Sequence, residues 1–149
     1  MKIIIIIILF SITLHAEKTP AWNENQDTAD KISWGLVIGQ ITINTIHNIR
    51  SDNPKRDLIN QSFQTGITIL AAESVKRLVH RTRPNGYDNK SFYSMHSSLA
   101  FANGCSVNIQ LSIPIGTGYF RMASNWHYPT DVLVGAATGC LASRIRILK

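Results

Sequence analysis

Residues 54–84 read PKRDLINQSFQTGITILAAESVKRLVHRTRP, and their pattern decides the fold. Pro54 follows the turn-forming run Ser51-Asp52-Asn53 and suits the first turn of a helix, where its missing N–H is not needed. Leu58, Ile69, Ala72 and Val75 then fall at helical intervals. The residue before a proline is pushed out of the helical region, so Pro84 sets the predicted end at Arg83.

Working outward, the same period continues on both sides. Upstream, Ile32, Leu36, Gly39, Ile43 and Ile46 predict a helix, and Gly35 and Gly39 have the spacing that permits a close helix contact. Downstream, Asn85 to Lys90 is a polar, Gly-containing loop of the kind that carries substrate contacts. Further helices are predicted from Ser94 to Leu111, from Pro114 to Asn125, and from Pro129 through Val132, Val134, Ala137 and Leu141. No strand-like alternation runs for long, so the chain is expected to be all-α, a compact bundle of about five helices.

The 149 residues suit one domain with one core, so one site must carry the function. Charged residues make up only 16%, and the formal charge is +6, which favours anionic partners such as phosphorylated lipids or an anionic membrane surface. Nucleic acid is disfavoured, because Lys55-Arg56 and Arg144-Ile145-Arg146 are too sparse to form a basic tract interleaved with aromatics. Met1-Lys2 followed by an apolar run ending at Leu14-His15-Ala16 reads as a secretory signal over residues 1–16, leaving a single domain over 17–149. Export puts the protein in the periplasm, free or associated with the inner membrane. Ile32 to Ile49 and Ser91 to Phe120 lack charge, but Asn44, Asn48, Asn103, Asn108 and Gln110 interrupt them, which places a membrane-surface protein ahead of a multispanning one. Cys105 and Cys140 read as two small buried helix residues, with a single disulfide as the alternative in an oxidising compartment.

Three clusters carry chemistry. Lys76 and Arg83 are expected on one helix face, about 10 Å apart along the axis, as charge-assisted donors to phosphate oxygens. Ser94-Met95-His96-Ser97-Ser98 lies at a predicted helix start, where Ser94 can cap the helix and bond an anion, and His96 can hand a proton to a departing oxygen. Arg121 is followed by His127 and Asp131; with Pro129 opening a helix, Asp131 sits in its first turn, placed to accept a hydrogen bond from one His127 nitrogen and leave the other free to attack.

In order and spacing, Lys76-x6-Arg83-Pro84, Ser94-x-His96 and Arg121-x5-His127-x3-Asp131 resemble the three-part signature of the type 2 phosphatidic acid phosphatase superfamily, which includes lipid phosphatases, class A acid phosphatases and vanadium haloperoxidases. The resemblance runs from Lys76 to Asp131 and on to Gly139. It implies a phosphatase acting on a phosphorylated lipid or a small phosphate ester, with no metal and no other cofactor. Lys76, Arg83, Ser94 and Arg121 would bind the phosphoryl group, His127 would be the nucleophile, Asp131 its orienting partner, and His96 the acid and base. Tyr93, Met95 and Phe120 stand where the family pattern has Pro, Gly and Ser. Met95 and Phe120 motivate an alternative of another class, a catalytically inactive anion- or lipid-binding module, and a soluble periplasmic acid phosphatase is the nearest enzymatic alternative.

Overall fold

A computed structural model describes residues 24–106 and 111–148. The expected signal over residues 1–16 lies outside them. Among the described residues the fold is the predicted all-helical bundle, with five helices: α1 (Glu24–Ile49), α2 (Pro54–Val79), α3 (Met95–Ser106), α4 (Ser112–Ala123) and α5 (Pro129–Ala142). Asn53 caps α2 by accepting from the Arg56 amide at 3.2 Å, with Pro54 opening the first turn.

Two expected boundaries shift. Helix α2 stops at Val79 rather than Arg83, because His80 takes a left-handed conformation (φ 48°) and closes the helix. Arg81 to Arg83 leave as a loop strand, paired through Arg83 N–H to Asp88 O at 2.9 Å and Ser91 N–H to Arg81 O at 2.9 Å. Lys76 and Arg83 therefore do not share a helix face, and Arg83 reaches the site from the loop. Helix α3 is described to Ser106, and the predicted stretch 107–110 falls outside the described residues.

The apolar stripe that marks α1 in the sequence does not line the interior. Ile32, Ile43 and Ile46 are exposed, whereas the buried face is Ser33, Val37, Gln40, Asn44 and Asn48. Helix α2 repeats this, burying Asn60, Gln61, Gln64, Thr68, Ala72 and Lys76 while Ile59, Phe63, Ile69 and Leu70 face outward. The aliphatic core is correspondingly small: Val37, Leu99 and Ala100, with Ile41 and Met95 against them. Buried amides hold the helices together instead. Asn44 donates to Asn103 at 3.0 Å, Gln61 donates to Asn103 at 3.0 Å, and Asn48 donates to Gln61 at 2.9 Å. Each such pair replaces a costly unsatisfied buried group with a directional tie.

Helix α5 lies directly on α3. A Cβ on Gly139 would meet Ser98 O at 2.2 Å, and one on Gly135 would meet Ser94 O at 2.5 Å, so both positions need a bare backbone. A Cβ on Gly35 or Gly39 would meet nothing within 4 Å; the close contact expected there belongs to Gly135 and Gly139. A Cys105–Cys140 disulfide ties the other end of the same helix pair, so the bridge, not two separate buried thiols, describes these residues. Gly139→Ala is expected to lower stability by about 1–3 kcal/mol through overpacking. Gly35→Ala should be neutral or stabilising by about 0.5–1 kcal/mol, since it removes a helical glycine without a clash. Thermal unfolding of the two variants checks the pair.

Candidate functional site

The site forms where the ends of four helices meet two loops. Lys76 comes from the last turn of α2, Arg83 from the loop after it, His96 from the first turn of α3, Arg121 from the last turn of α4, and His127 from the α4–α5 loop; Asp131 lies in the first turn of α5. All six are buried, with Asp131 fully enclosed. Arg83 Nη1 stands 3.4 Å from His127 Nε2, and Arg83, Arg121, Lys76 and His127 all act electrostatically on His96. The clusters expected from the sequence thus converge.

Each cation carries one carboxylate that the sequence did not single out. Lys76 Nζ is 3.3 Å from Glu73, Arg83 Nε donates to Asp88, and Arg121 Nη1 donates to Asp30 on α1. Ser33, on the same helix, accepts a second bond from Arg121 at 3.3 Å. Burial lowers the Lys76 pKa; Glu73 opposes that shift, and Arg83 and Arg121 add to it. Burial likewise lowers Arg121 to about 10, with Asp30 resisting. The Trp126 ring backs both guanidiniums, 4.6 Å from Arg83 and 5.4 Å from Arg121.

The orienting partner of His127 differs from the expected one. Its Nδ1 lies 2.7 Å from Ser91 O but 3.8 Å from Asp131 Oδ2, so the Nδ1 proton is donated to the Ser91 carbonyl. Nε2 then carries the lone pair on the side facing Arg83. Asp131 acts one step back. Its oxygens accept from the Ser91 hydroxyl at 2.5 Å, the Tyr128 amide at 3.0 Å and Arg81 Nη1 at 2.6 Å, which locks both residues flanking the imidazole. Burial pushes the Asp131 carboxyl up, but His127, Ser91, Tyr128 and Arg81 outweigh it and hold the group below its usual range.

Ser94 is the α3 cap, as expected. Its Oγ accepts from the Ser97 amide at 3.3 Å and from the Ser97 hydroxyl at 3.0 Å, and its own amide donates to Asp131 O at 3.1 Å. Met95 is simply the first helical residue, so the family's glycine at this place is not required by a positive φ here. His96 packs edge-on to Trp34, ring centroids 4.0 Å apart. Its Nε2 and the Arg121 Nε are buried without a hydrogen-bond partner among the described residues. Asp30, Ser33, Arg81, Ser91 and Trp34 gave no signal in the sequence, since none sits in a spacing that chemistry demands. Among the described residues, no group of three or more His, Cys, Asp and Glu gathers as a metal site would.

No family model, curated protein or solved structure matches this chain.

The two histidines set an acid-side stability limit. Burial lowers His127 to about 4, Arg121 and Arg83 add to the shift, and Asp131 resists it. Burial and the surrounding cations lower His96 to about 2. Both stay neutral in the fold while an unfolded chain would take up protons below about 6.5, so the unfolded state binds more protons and stability falls as pH drops. Denaturant titrations are expected to show a loss of about 3 kcal/mol per histidine between pH 6.5 and pH 4. His127→Gln should remove about half of that loss, leaving the part that His96 contributes.

Proposed function

We propose that the chain is a phosphatase of the type 2 phosphatidic acid phosphatase kind that needs no metal, releasing phosphate from phosphomonoester or pyrophosphate groups through a phosphohistidine. The observation that supports it best is the buried cluster of three cations around two neutral imidazoles. A phosphoryl group spreads negative charge over its peripheral oxygens in the transition state, and prepositioned cationic donors stabilise that charge without reorganising. The partnerless Arg121 Nε is one such donor. Lys76, Arg83 and Arg121 would take the role that a metal ion plays in other phosphoryl-transfer sites, with Ser94 at the α3 start adding to the anion-binding end of that helix.

The steps follow from the proton positions. His127 Nε2 attacks phosphorus, forming the N–P bond as the P–O bond to the leaving group breaks. The departing oxygen takes a proton from His96. Water then attacks phosphorus, giving its proton back to His96 as the N–P bond breaks and phosphate leaves. His96 must be protonated for the first step, although burial and the surrounding cations lower its pKa to about 2. A bound phosphate dianion supplies the opposite charge that the surrounding cations lack, and raises that pKa; substrate thus arms its own acid.

A membrane lipid is the substrate class that the surface favours. No Asp, Glu, Lys or Arg occurs from Ile32 to Ile49, from Leu58 to Ala72 or from Val132 to Ser143. That uncharged waist, about 20 Å along α2, exposes Ile38, Ile46, Phe63, Leu70 and Leu141. No described helix is long and apolar enough to cross a membrane. An apolar waist of this kind gains by contact with lipid, and the Cys105–Cys140 disulfide fits an exported protein with its site on the periplasmic side.

Phosphate release from dioctanoyl phosphatidic acid in mixed micelles and from phenyl phosphate in solution tests both statements. Turnover should persist in EDTA, be blocked by vanadate, and fall by about 10³-fold or more in His127→Ala. The kcat/KM for the lipid should exceed that for the soluble ester by about tenfold. Phosphate binding without turnover in the unaltered protein would instead identify an anion-binding module, and a preference for phenyl phosphate would identify a soluble acid phosphatase.

The same cluster predicts proton uptake on ligand binding. Calorimetry of vanadate binding at pH 6 in buffers of different ionisation enthalpy should show protons entering the protein, and His96→Ala should reduce the number taken up.

A further inference from the structure

Beside the cation cluster, a cavity of about 450 Å³ is lined by Asn85, Gly86, Tyr87 and Trp126. Its volume is of the order that holds a small organic group. Trp126 is the shared wall: the ring that backs Arg83 and Arg121 from one side lines this cavity, and the next residue is His127. The opposite wall is built rather than loose. Gly86 adopts φ 70° and donates to Arg83 O at 3.0 Å, Asn85 N–H donates to Asn125 O at 3.1 Å, and Tyr87 N–H donates to Asn85 Oδ1 at 3.0 Å. That last bond occupies the Asn85 carbonyl oxygen, so the lining offers rings and backbone more than free polar side chains. Tyr87 meets Trp126 edge to face at 5.5 Å, yet 76% of its surface is open to solvent. A tyrosine so exposed, held over a tryptophan, is a surface that gains by being covered.

We propose that this cavity receives the apolar alkyl, acyl or aryl part of a phosphate ester whose phosphoryl group lies among Lys76, Arg83 and Arg121, and that Tyr87 determines specificity for it. The proposal rests on the phosphatase reading and adds the chemistry of the leaving group. No charged side chain lines the cavity, so it does not compete for the phosphoryl group. Trp126 is thus in contact with the cations and also lines the apolar cavity.

Isothermal calorimetry with methylphosphonate, butylphosphonate and phenylphosphonate tests this without turnover, since their C–P bond replaces the scissile oxygen. In the unaltered protein, butyl- or phenylphosphonate should bind about tenfold more tightly than methylphosphonate, the gain from burying a few apolar carbons. A gain for butyl alone points to a chain-bearing substrate, and a gain for phenyl alone to an aryl one. Tyr87→Ala should abolish the gain and Tyr87→Phe should keep it, with circular dichroism confirming that both fold. Equal binding of all three phosphonates, or a gain that survives Tyr87→Ala, overturns the subsite while leaving the phosphate site standing. Binding of none overturns both.

Discussion

The bare-backbone contact between α3 and α5 is the constraint from which the site follows. Because Gly135 and Gly139 let the two helices touch without intervening side chains, the start of α3 lies against the start of α5. The Ser94 amide can then reach Asp131 O, and Asp131 can reach Ser91 and the Tyr128 amide. His127, held between those two residues by the Ser91 carbonyl, inherits its position from the crossing. A side chain at either glycine would separate the helix starts, and with them His96 and His127. The Cys105–Cys140 bridge at the far end of the same pair limits how far the helices can rock apart.

Around that frame, charge is balanced locally rather than globally. Burying three cations together is costly, because each loses water and each repels the others. Glu73, Asp88 and Asp30 each neutralise one of them from outside the cluster, and Arg81 does the same in reverse for the enclosed Asp131. The three carboxylates are more exposed than the cations they pair with, so they contact both the buried charge and solvent. This arrangement explains why the imidazoles are neutral. Burial withholds water from a proton on either ring, and the surrounding positive charge opposes it further. A neutral imidazole is the form that can act as a nucleophile, and the cost of the cluster and the neutrality of the ring have one cause.

The sequence made helix number and order legible, because proline and glycine punctuation and the 3.6-residue period are local properties. It also singled out seven candidate positions, because the residue types and chain order of Lys76, Arg83, Ser94, His96, Arg121, His127 and Asp131 resemble a known pattern. What it concealed was long-range. The exit of Arg83 from α2 turns on His80 adopting φ 48°, a conformation no propensity favours for histidine. The Asp30 counter-charge lies on the first helix, far from every motif residue in the chain. The handover from Asp131 to the Ser91 carbonyl depends on about an ångström of loop placement, which residue spacing does not encode.

The most instructive reversal is the direction of the α1 stripe. Periodicity identifies a helix face but not what it faces, and the usual inference that the apolar side is inside assumes water outside. Here Gln40, Asn44, Asn48, Asn60, Gln61 and Gln64 are buried while Ile38, Ile43, Ile46, Ile49 and Ile59 look outward. Amide side chains pair directionally, so a polar interior can be specific where an aliphatic one would be larger. Gln40, whose amide atoms are buried without a partner among the described residues, shows that the tradeoff is not free. A chain selected for water alone would gain by exchanging the two faces of α1. That it keeps amides inside and isoleucines outside is the physical reason that the proposed phosphate site and the apolar waist are read together, the waist as the surface a lipid would cover.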